Sequence, residues 1–283
     1  MDVSIYPGCS LDGTAKEYGE SLEAITSMLG VNLHELKDWN CCGASSAHSM
    51  NNDLAVALAA RNLGIADQMG MDLVVPCAAC YQRLKVAEKR LLGGEKLEGV
   101  DNYGGKIHIK PLVDFLWDDV GEKQILSLLK KPLEGLNPVC YYGCLTARPP
   151  KITDAKSPEN PMSMDEIMTC LGANVRQWSY KTDCCGGSLI LTRPDIARTL
   201  IRKLLDMAEE AGADCVVAAC PMCQSNLDGR QREISQESVK EYNVPIFYFT
   251  ELMGLACGNP SVKKWLGRHV TDPRPLLTQK SLV

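Results

Sequence analysis

Short apolar runs alternate with longer stretches of helical periodicity along the chain, and the whole alternation occurs twice. Val3 to Tyr6 is a run of strand length. Between Thr14 and Leu29 the apolar residues Ala15, Tyr18, Leu22, Ile25 and Leu29 fall three and four apart, the spacing that lines one face of a helix, and Gly30 is placed to end it. Val31 to Leu36 predicts a second strand. Asp53 to Met69 predicts a second helix, with Asn52 or Asp53 as its N-cap and Gly70 as its stop, and Leu73 to Val75 predicts a buried third strand. The order returns as a strand over Pro138 to Tyr142, a helix over Pro161 to Leu171, a strand over Asn174 to Trp178, a helix over Asp195 to Ala211 and a strand over Cys215 to Ala218.

Strands alternating with helices imply parallel sheets covered by helices, so the fold class is α/β, built as two pseudo-symmetric repeats. The glycine-containing stretch from Leu92 places a boundary near Asn137, which divides the chain into units 1–136 and 137–283. Lys151 to Pro161 is polar and proline-rich and predicts a loop that shapes the surface beside the second cysteine set. The tail from Gly258 reads as irregular, wrapping the body or docking on another subunit.

Composition narrows the functions. The chain has 283 residues, 45% of them hydrophobic, enough for a real core, and a net charge of -5, which argues against gripping nucleic acid or anionic lipid through a basic field. The N-terminal MDVSIYPGCSLDG carries neither a basic nor an apolar leader. No run approaches the roughly 20 apolar residues of a membrane span. A cytoplasmic protein, held at a membrane only by partners, is the expectation. Fourteen cysteines in such a chain point to metal ligation, because a reducing compartment disfavours disulfide frameworks.

The spacing of the cysteines carries the chemistry. Cys9, Cys41, Cys42, Cys77 and Cys80 form C-x31-CC-x34-C-x2-C, and Cys144, Cys184, Cys185, Cys220 and Cys223 form C-x39-CC-x34-C-x2-C. YPGC at Tyr6 answers YYGC at Tyr141, and CCGAS at Cys41 answers CCGGS at Cys184. Self-similarity at this separation indicates two copies of one structural unit. Thiolates are soft ligands suited to iron–sulfur clusters, zinc or copper(I). Adjacent cysteines diverge in regular structure, so each CC pair suggests a turn whose sulfurs serve different metals of a larger cluster. A lone tetrahedral zinc takes four ligands, whereas each set offers five. In α/β sheets ligands gather beyond the strand carboxyl ends, where the cysteine groups fall.

With YPGCS, NCCGASSAH and VVPCAACYQRL in the first half and DCCGGS and AACPMCQSNL in the second, the chain resembles the cysteine-rich CCG-domain family, whose defining member is the B-type subunit of heterodisulfide reductase. The resemblance runs from the first strand to TELMGLACG near Thr250. It implies two noncubane 4Fe-4S clusters, one on Cys9, Cys41, Cys42, Cys77 and Cys80, the other on Cys144, Cys184, Cys185, Cys220 and Cys223, facing a cavity where a disulfide is cleaved. The implied role is the catalytic subunit that reduces or forms a disulfide in a heterodisulfide reductase-like complex. The implied partners are a ferredoxin-like iron–sulfur subunit and a flavin-containing subunit. The chain itself has no ferredoxin cysteine run, dinucleotide fingerprint or Walker loop, so electrons must pass through a partner.

Two other readings stand beside this one: a noncatalytic electron-transfer or anchoring CCG subunit of a dehydrogenase complex, for which Phe247 to Leu255 is an amphipathic candidate for membrane contact, and a structural metal-binding scaffold. His48, just after the first CC pair, is placed to donate a proton to a departing thiolate or to hydrogen-bond locally. Arg148 and Lys181 are candidates for holding an anionic group of a substrate, or are solvated charges. His34, His108 and His269 read as structural or exposed. Cys140, Cys170, Cys215 and Cys257 lie outside both sets and read as core packing.

Overall fold

A computed structural model describes residues 1–44, 47–100 and 103–283. Strands β1 (Asp2–Ile5), β2 (Asn32–Glu35), β3 (Leu73–Val75) and β4 (Ile109–Pro111) form a parallel sheet in the order β2-β1-β3-β4. Strands β5 (Pro138–Tyr141), β6 (Cys215–Ala218) and β7 (Ile246–Tyr248) form a second parallel sheet in the order β5-β6-β7. The α/β class and the two repeats hold. Strand β1 lies against β3 with Ile5 opposite Val74, and its counterpart β5 lies against β6 with Cys140 opposite Val217.

The helices follow the periodicity. Lys16–Met28 buries Tyr18, Leu22 and Ile25. Asn52–Met69 is capped by Asn51, one residue before the expected positions, whose side chain accepts the N–H groups of Asp53 and Leu54; Gly70 ends the helix at φ +65°. Ala78–Leu92, Ser163–Cys170, Pro194–Glu210 and Pro221–Gly229 complete the layers around the sites.

Three expectations need correction. Residues 174–178 are not a strand. The N–H groups of Asn174 and Arg176 do donate to Leu136 and Pro138 carbonyls along the edge of β5, but Pro138 has no N–H with which to return a bond, so no ladder forms. Phe247 to Leu255 is not an exposed amphipathic element: Phe247 and Tyr248 belong to β7, and the helix Phe249–Ala256 is buried along its whole length against Lys16–Met28. The tail is not wholly irregular, since Val262–Leu266 and Arg274–Gln279 are short helices that dock through Trp265 and Leu277, both buried. Strands β4 and β7, three residues each, add to the elements that the sequence pattern predicts.

Each of two hydrophobic cores takes residues from both halves of the chain. One joins Ile5, Tyr18 and Leu22 to Met168, Phe249 and Leu252; the other joins Tyr6, Leu63 and Val75 to Tyr141, Ile201 and Val216. Each fully buried side chain of this kind contributes about 1.5–3 kcal/mol. The halves are therefore held as one body, with Ser21 and Thr250 sharing a buried 2.6 Å hydrogen bond between them.

Candidate metal centre

Each cysteine set is assembled by the carboxyl ends of two strands and one turn. Cys9 follows β1, Cys77 and Cys80 follow β3 at the start of Ala78–Leu92, and the CC pair is brought over by the turn before Asn52–Met69. In the second half Cys144 follows β5, and Cys220 and Cys223 follow β6. The YPGC and YYGC turns need glycine: Gly8 (φ +69°) and Gly143 (φ +74°) are left-handed, and a Cβ there would lie 3.1 Å from the Cys80 sulfur and 3.0 Å from the Cys223 sulfur. Tyr6 and Tyr141, two residues before those glycines, donate their hydroxyls to the carbonyls of Asn40 (2.8 Å) and Asp183 (2.7 Å), the residues that precede the two CC pairs.

Two buried thiol pairs touch, one in each set. Cys42 and Cys80 are 3.3 Å apart, and Cys185 and Cys223 are 3.6 Å apart. Cys41 with Cys42, Cys77 with Cys80, Cys144 with Cys184 and Cys220 with Cys223 lie near enough to shift each other's ionisation, and so do Cys77 and Cys220, one from each set. Cys9, Cys41 and Cys184 are exposed and Cys144 is half-buried, while the other six are buried, so each set has a closed side and an open side. The backbone N–H groups of Gly43 and Gly186 point at the sulfurs of Cys41 (3.5 Å) and Cys184 (3.3 Å).

Protonation within each set is unequal. Hydrogen bonds from Cys41 and Cys80 draw the Cys42 thiol down, with Arg83 adding a cation's pull, and the bond to Cys42 pushes Cys80 up. In the second set the hydrogen bond from Cys144 draws Cys184 down to about 6, while Cys144 itself is pushed up by that bond and by burial. Thiols packed this closely cannot all ionise together, because each thiolate opposes the next. All five of a set become thiolates only around a positively charged core.

Among the described residues no three His, Cys, Asp or Glu side chains close on one point as a single ion requires. Five soft donors spread over three segments, with two glycines keeping the chain clear of the sulfurs, fit a multinuclear sulfur-ligated centre better than one zinc.

The other expected site residues fall differently. His48 lies in the Ala47–Met50 turn, half-buried, and its N–H donates to the Gly43 carbonyl at 3.2 Å; Ser45 and Ser46 of the same motif lie outside the described residues. Arg148 is half-buried beside Cys144's turn, paired with Glu159 and hydrogen-bonded to Thr182. Lys181 is not open to a substrate: it is 1% exposed and ion-paired at 2.8 Å with Asp165, which also accepts the Tyr142 hydroxyl at 2.8 Å. His269 is buried against Glu251, His34 and His108 sit at the surface on Asp2 and Asp72, Cys140, Cys215 and Cys257 are buried, and Cys170 is half-buried.

Two features were not legible in advance. The Tyr18 hydroxyl lies 3.3 Å from the Pro76 carbonyl and 3.1 Å from the Ala219 carbonyl, the residues that precede Cys77 and Cys220, while its ring stacks on Tyr248 at 4.2 Å. A tyrosine at core spacing gives no signal of that role. A pocket of about 190 Å³ is lined by neighbours of both sets, Ser10 and Thr14 after Cys9 and Gly187, Met222, Asn226 and Arg230 around the second CC pair and C-x2-C turn.

Comparison with known proteins places this geometry. The CCG cysteine-rich domain family matches residues 3–85 and 139–228. The chain is 32% identical over 282 residues to the 8-methylmenaquinol:fumarate reductase membrane anchor subunit of Wolinella succinogenes, a match covering 97% of this chain and 99% of that one. It is 26% identical over 268 residues to the B-type subunit of the ferredoxin/F(420)H(2)-dependent CoB-CoM heterodisulfide reductase of Methanosarcina acetivorans, covering 90% and 89%. A crystal structure of a hypothetical protein from Helicobacter pylori matches 96% of this chain with a TM-score of 0.71 at 12% identity; this chain spans 52% of it, and the likeness is one of fold. Among the described residues no helix is long and apolar enough to cross a membrane.

Proposed function

The chain belongs to the cysteine-rich CCG-domain family, and on that premise we propose that it is an iron–sulfur subunit of a multisubunit oxidoreductase that reduces or forms a disulfide. Cys9, Cys41, Cys42, Cys77 and Cys80 would hold one 4Fe-4S cluster, and Cys144, Cys184, Cys185, Cys220 and Cys223 the other. The observation that carries the reading is that two five-thiol sets, each with an open side, adjoin at Cys77 and Cys220, which shift each other's ionisation, with residues neighbouring both sets lining one pocket. When bound, such centres supply and accept single electrons, and a disulfide needs two.

The protein's own residues do the rest. Ser10, Thr14 and Asn226 line the pocket with hydrogen-bonding groups, and Arg230, half-buried at its edge and paired with Glu233, would hold an anionic arm of a disulfide by exchanging that partner, a role that Arg148, paired with Glu159, could share from the second set's open side. His48, behind the first CC turn, is the group placed to give a proton to a leaving thiolate. Electrons reach the chain from a ferredoxin-like iron–sulfur subunit and a flavin-containing subunit, in a complex located in the cytoplasm.

A second reading has its own support. The Wolinella relative, matched over nearly the full length of both chains, is named a membrane anchor subunit of a fumarate reductase, so the same two sets would serve as an electron relay at a membrane-bound complex. Iron and acid-labile sulfide per chain, with spectra before and after adding thiols, separate the readings. About eight irons with a thiol-altered signal support disulfide chemistry. Eight irons indifferent to every thiol select the relay, and stoichiometric zinc without labile sulfide sinks both.

A further inference from the structure

The two cysteine sets match in spacing but not in the charge around them. Arg83 stands three residues after Cys80 on the Ala78–Leu92 helix, the spacing that puts two side chains on one helix face, and the Cys80 sulfur touches that of Cys42 at 3.3 Å. Asn226 holds the same place in the second half, three residues after Cys223 on Pro221–Gly229. Its side-chain amide donates to the Cys185 carbonyl at 2.7 Å, so this position reaches the CC turn. The first set therefore has a cation where the second has a neutral amide. Arg83 is half-buried, where a charge is screened less than at the surface, and it favours the Cys42 thiolate.

The residue before each CC pair differs in the same sense. Asn40 precedes Cys41, whereas Asp183 precedes Cys184 and opposes its ionisation, with the cation Lys203 standing off at 3.9 Å. The arginines beside the second set do not offset that acid. Arg148 is paired with Glu159 and Arg230 with Glu233, whereas Arg83 has no carboxylate within ion-pair distance among the described residues. The acid that follows Cys9, Asp12, is exposed, and water screens it. Solvent adds a third difference, since Cys9 is exposed and its counterpart Cys144 is half-buried. Electron addition makes a thiolate-ligated centre more negative, so nearby positive charge and water favour the reduced form, while nearby negative charge and burial disfavour it. All three differences act in one direction.

We propose that Arg83 holds the reduction potential of the first centre above that of the second, with Asp183 holding the second one down, so that a single electron from a low-potential reductant rests on the Cys9, Cys41, Cys42, Cys77 and Cys80 set before the other set is reduced. Arg83 is a positioning charge: it tunes where the electron resides and ligates nothing. The inference rests on the reading of the chain as an iron–sulfur subunit and adds which of its two sets is the stronger electron acceptor.

The test is an anaerobic dithionite titration of the full chain, followed by absorbance and paramagnetic resonance against mediator dyes of known potential. Two separate one-electron steps are expected from the unsubstituted chain. Arg83→Gln should lower the upper step by about tenfold in its equilibrium constant, which is about 59 mV for one electron, and leave the lower step in place. Arg83→Lys, which keeps the charge, should restore the upper step. Asp183→Asn should raise the lower step and leave the upper one; it retains the backbone carbonyl that accepts the Tyr141 hydroxyl, so it keeps the test intact if Arg83→Gln assembles poorly. A single potential for both steps in the unsubstituted chain, an unmoved upper step or a joint shift of both steps in Arg83→Gln, or an unmoved lower step in Asp183→Asn would each overturn the proposal. Iron and sulfide are measured on the same samples: about eight irons with any of those outcomes fails this proposal alone, and a chain without iron or labile sulfide fails the iron–sulfur reading itself.

Discussion

The hydroxyl of Tyr18 lies 3.3 Å from the Pro76 carbonyl and 3.1 Å from the Ala219 carbonyl, the residues that precede Cys77 and Cys220 in opposite halves of the chain. The junction between the sets is thus held by one side chain that belongs to neither motif. The burial of Tyr18 and its stack on Tyr248 make that position rigid.

Tyr18→Phe keeps the ring and removes the hydroxyl, which leaves two buried carbonyls sharing one donor fewer. Chemical denaturation should show a loss of about 1–2 kcal/mol. Unchanged stability would mean that the hydroxyl does not hold the junction.

Gly143→Ala should empty the second set and spare the first, because its Cβ would meet the Cys223 sulfur at 3.0 Å from a left-handed backbone. Iron per chain is expected to fall by about half, and Gly8→Ala should remove the other half. Full iron in both variants would show that the sulfurs can retreat.

Lys181→Met should destabilise the fold by about 3–5 kcal/mol, since it strands the Asp165 carboxylate in the interior. Adding Asp165→Asn should recover much of that loss. A thermal melt of the single and double variants reads this directly, and equal melting of Lys181→Met and the unsubstituted chain would make Lys181 a candidate substrate contact again.

Stability should fall as pH rises from about 6.5 to beyond 8 because of His269. Burial alone lowers this group, but the Glu251 carboxylate at 3.0 Å overcomes it, with Asp228 and Glu17 assisting, and pushes it up to about 8. A group raised in the folded state contributes fully below its unfolded value and loses that contribution as pH passes the folded one. The shift corresponds to about 2 kcal/mol. Denaturation midpoints across this window should slope for the unsubstituted chain and flatten for His269→Gln; parallel curves would assign the slope to other groups.

Much of this was legible in the order of residues. Helical spacing found the Lys16–Met28, Asn52–Met69 and Pro194–Glu210 helices because each buries one face, and burial of one face is what periodicity records. The edge of the second sheet was overread because apolar content at Asn174 to Trp178 does not reveal that Pro138 lacks the donor a ladder needs. Lys181 was misplaced for a similar reason: a lysine near a cysteine motif looks like a surface charge until its partner, Asp165, is seen in space.

By itself, then, the sequence determined the α/β class, the duplication and the ten cysteines in two sets, since these depend on periodicity and spacing within short segments. Tertiary structure decided which side of each set is open, that Tyr18 spans the carbonyls before Cys77 and Cys220, and that Lys181 is buried on Asp165. Those facts depend on contacts between residues far apart in the chain, such as Tyr18 and Ala219, and no local pattern encodes where two separately folded stretches will touch.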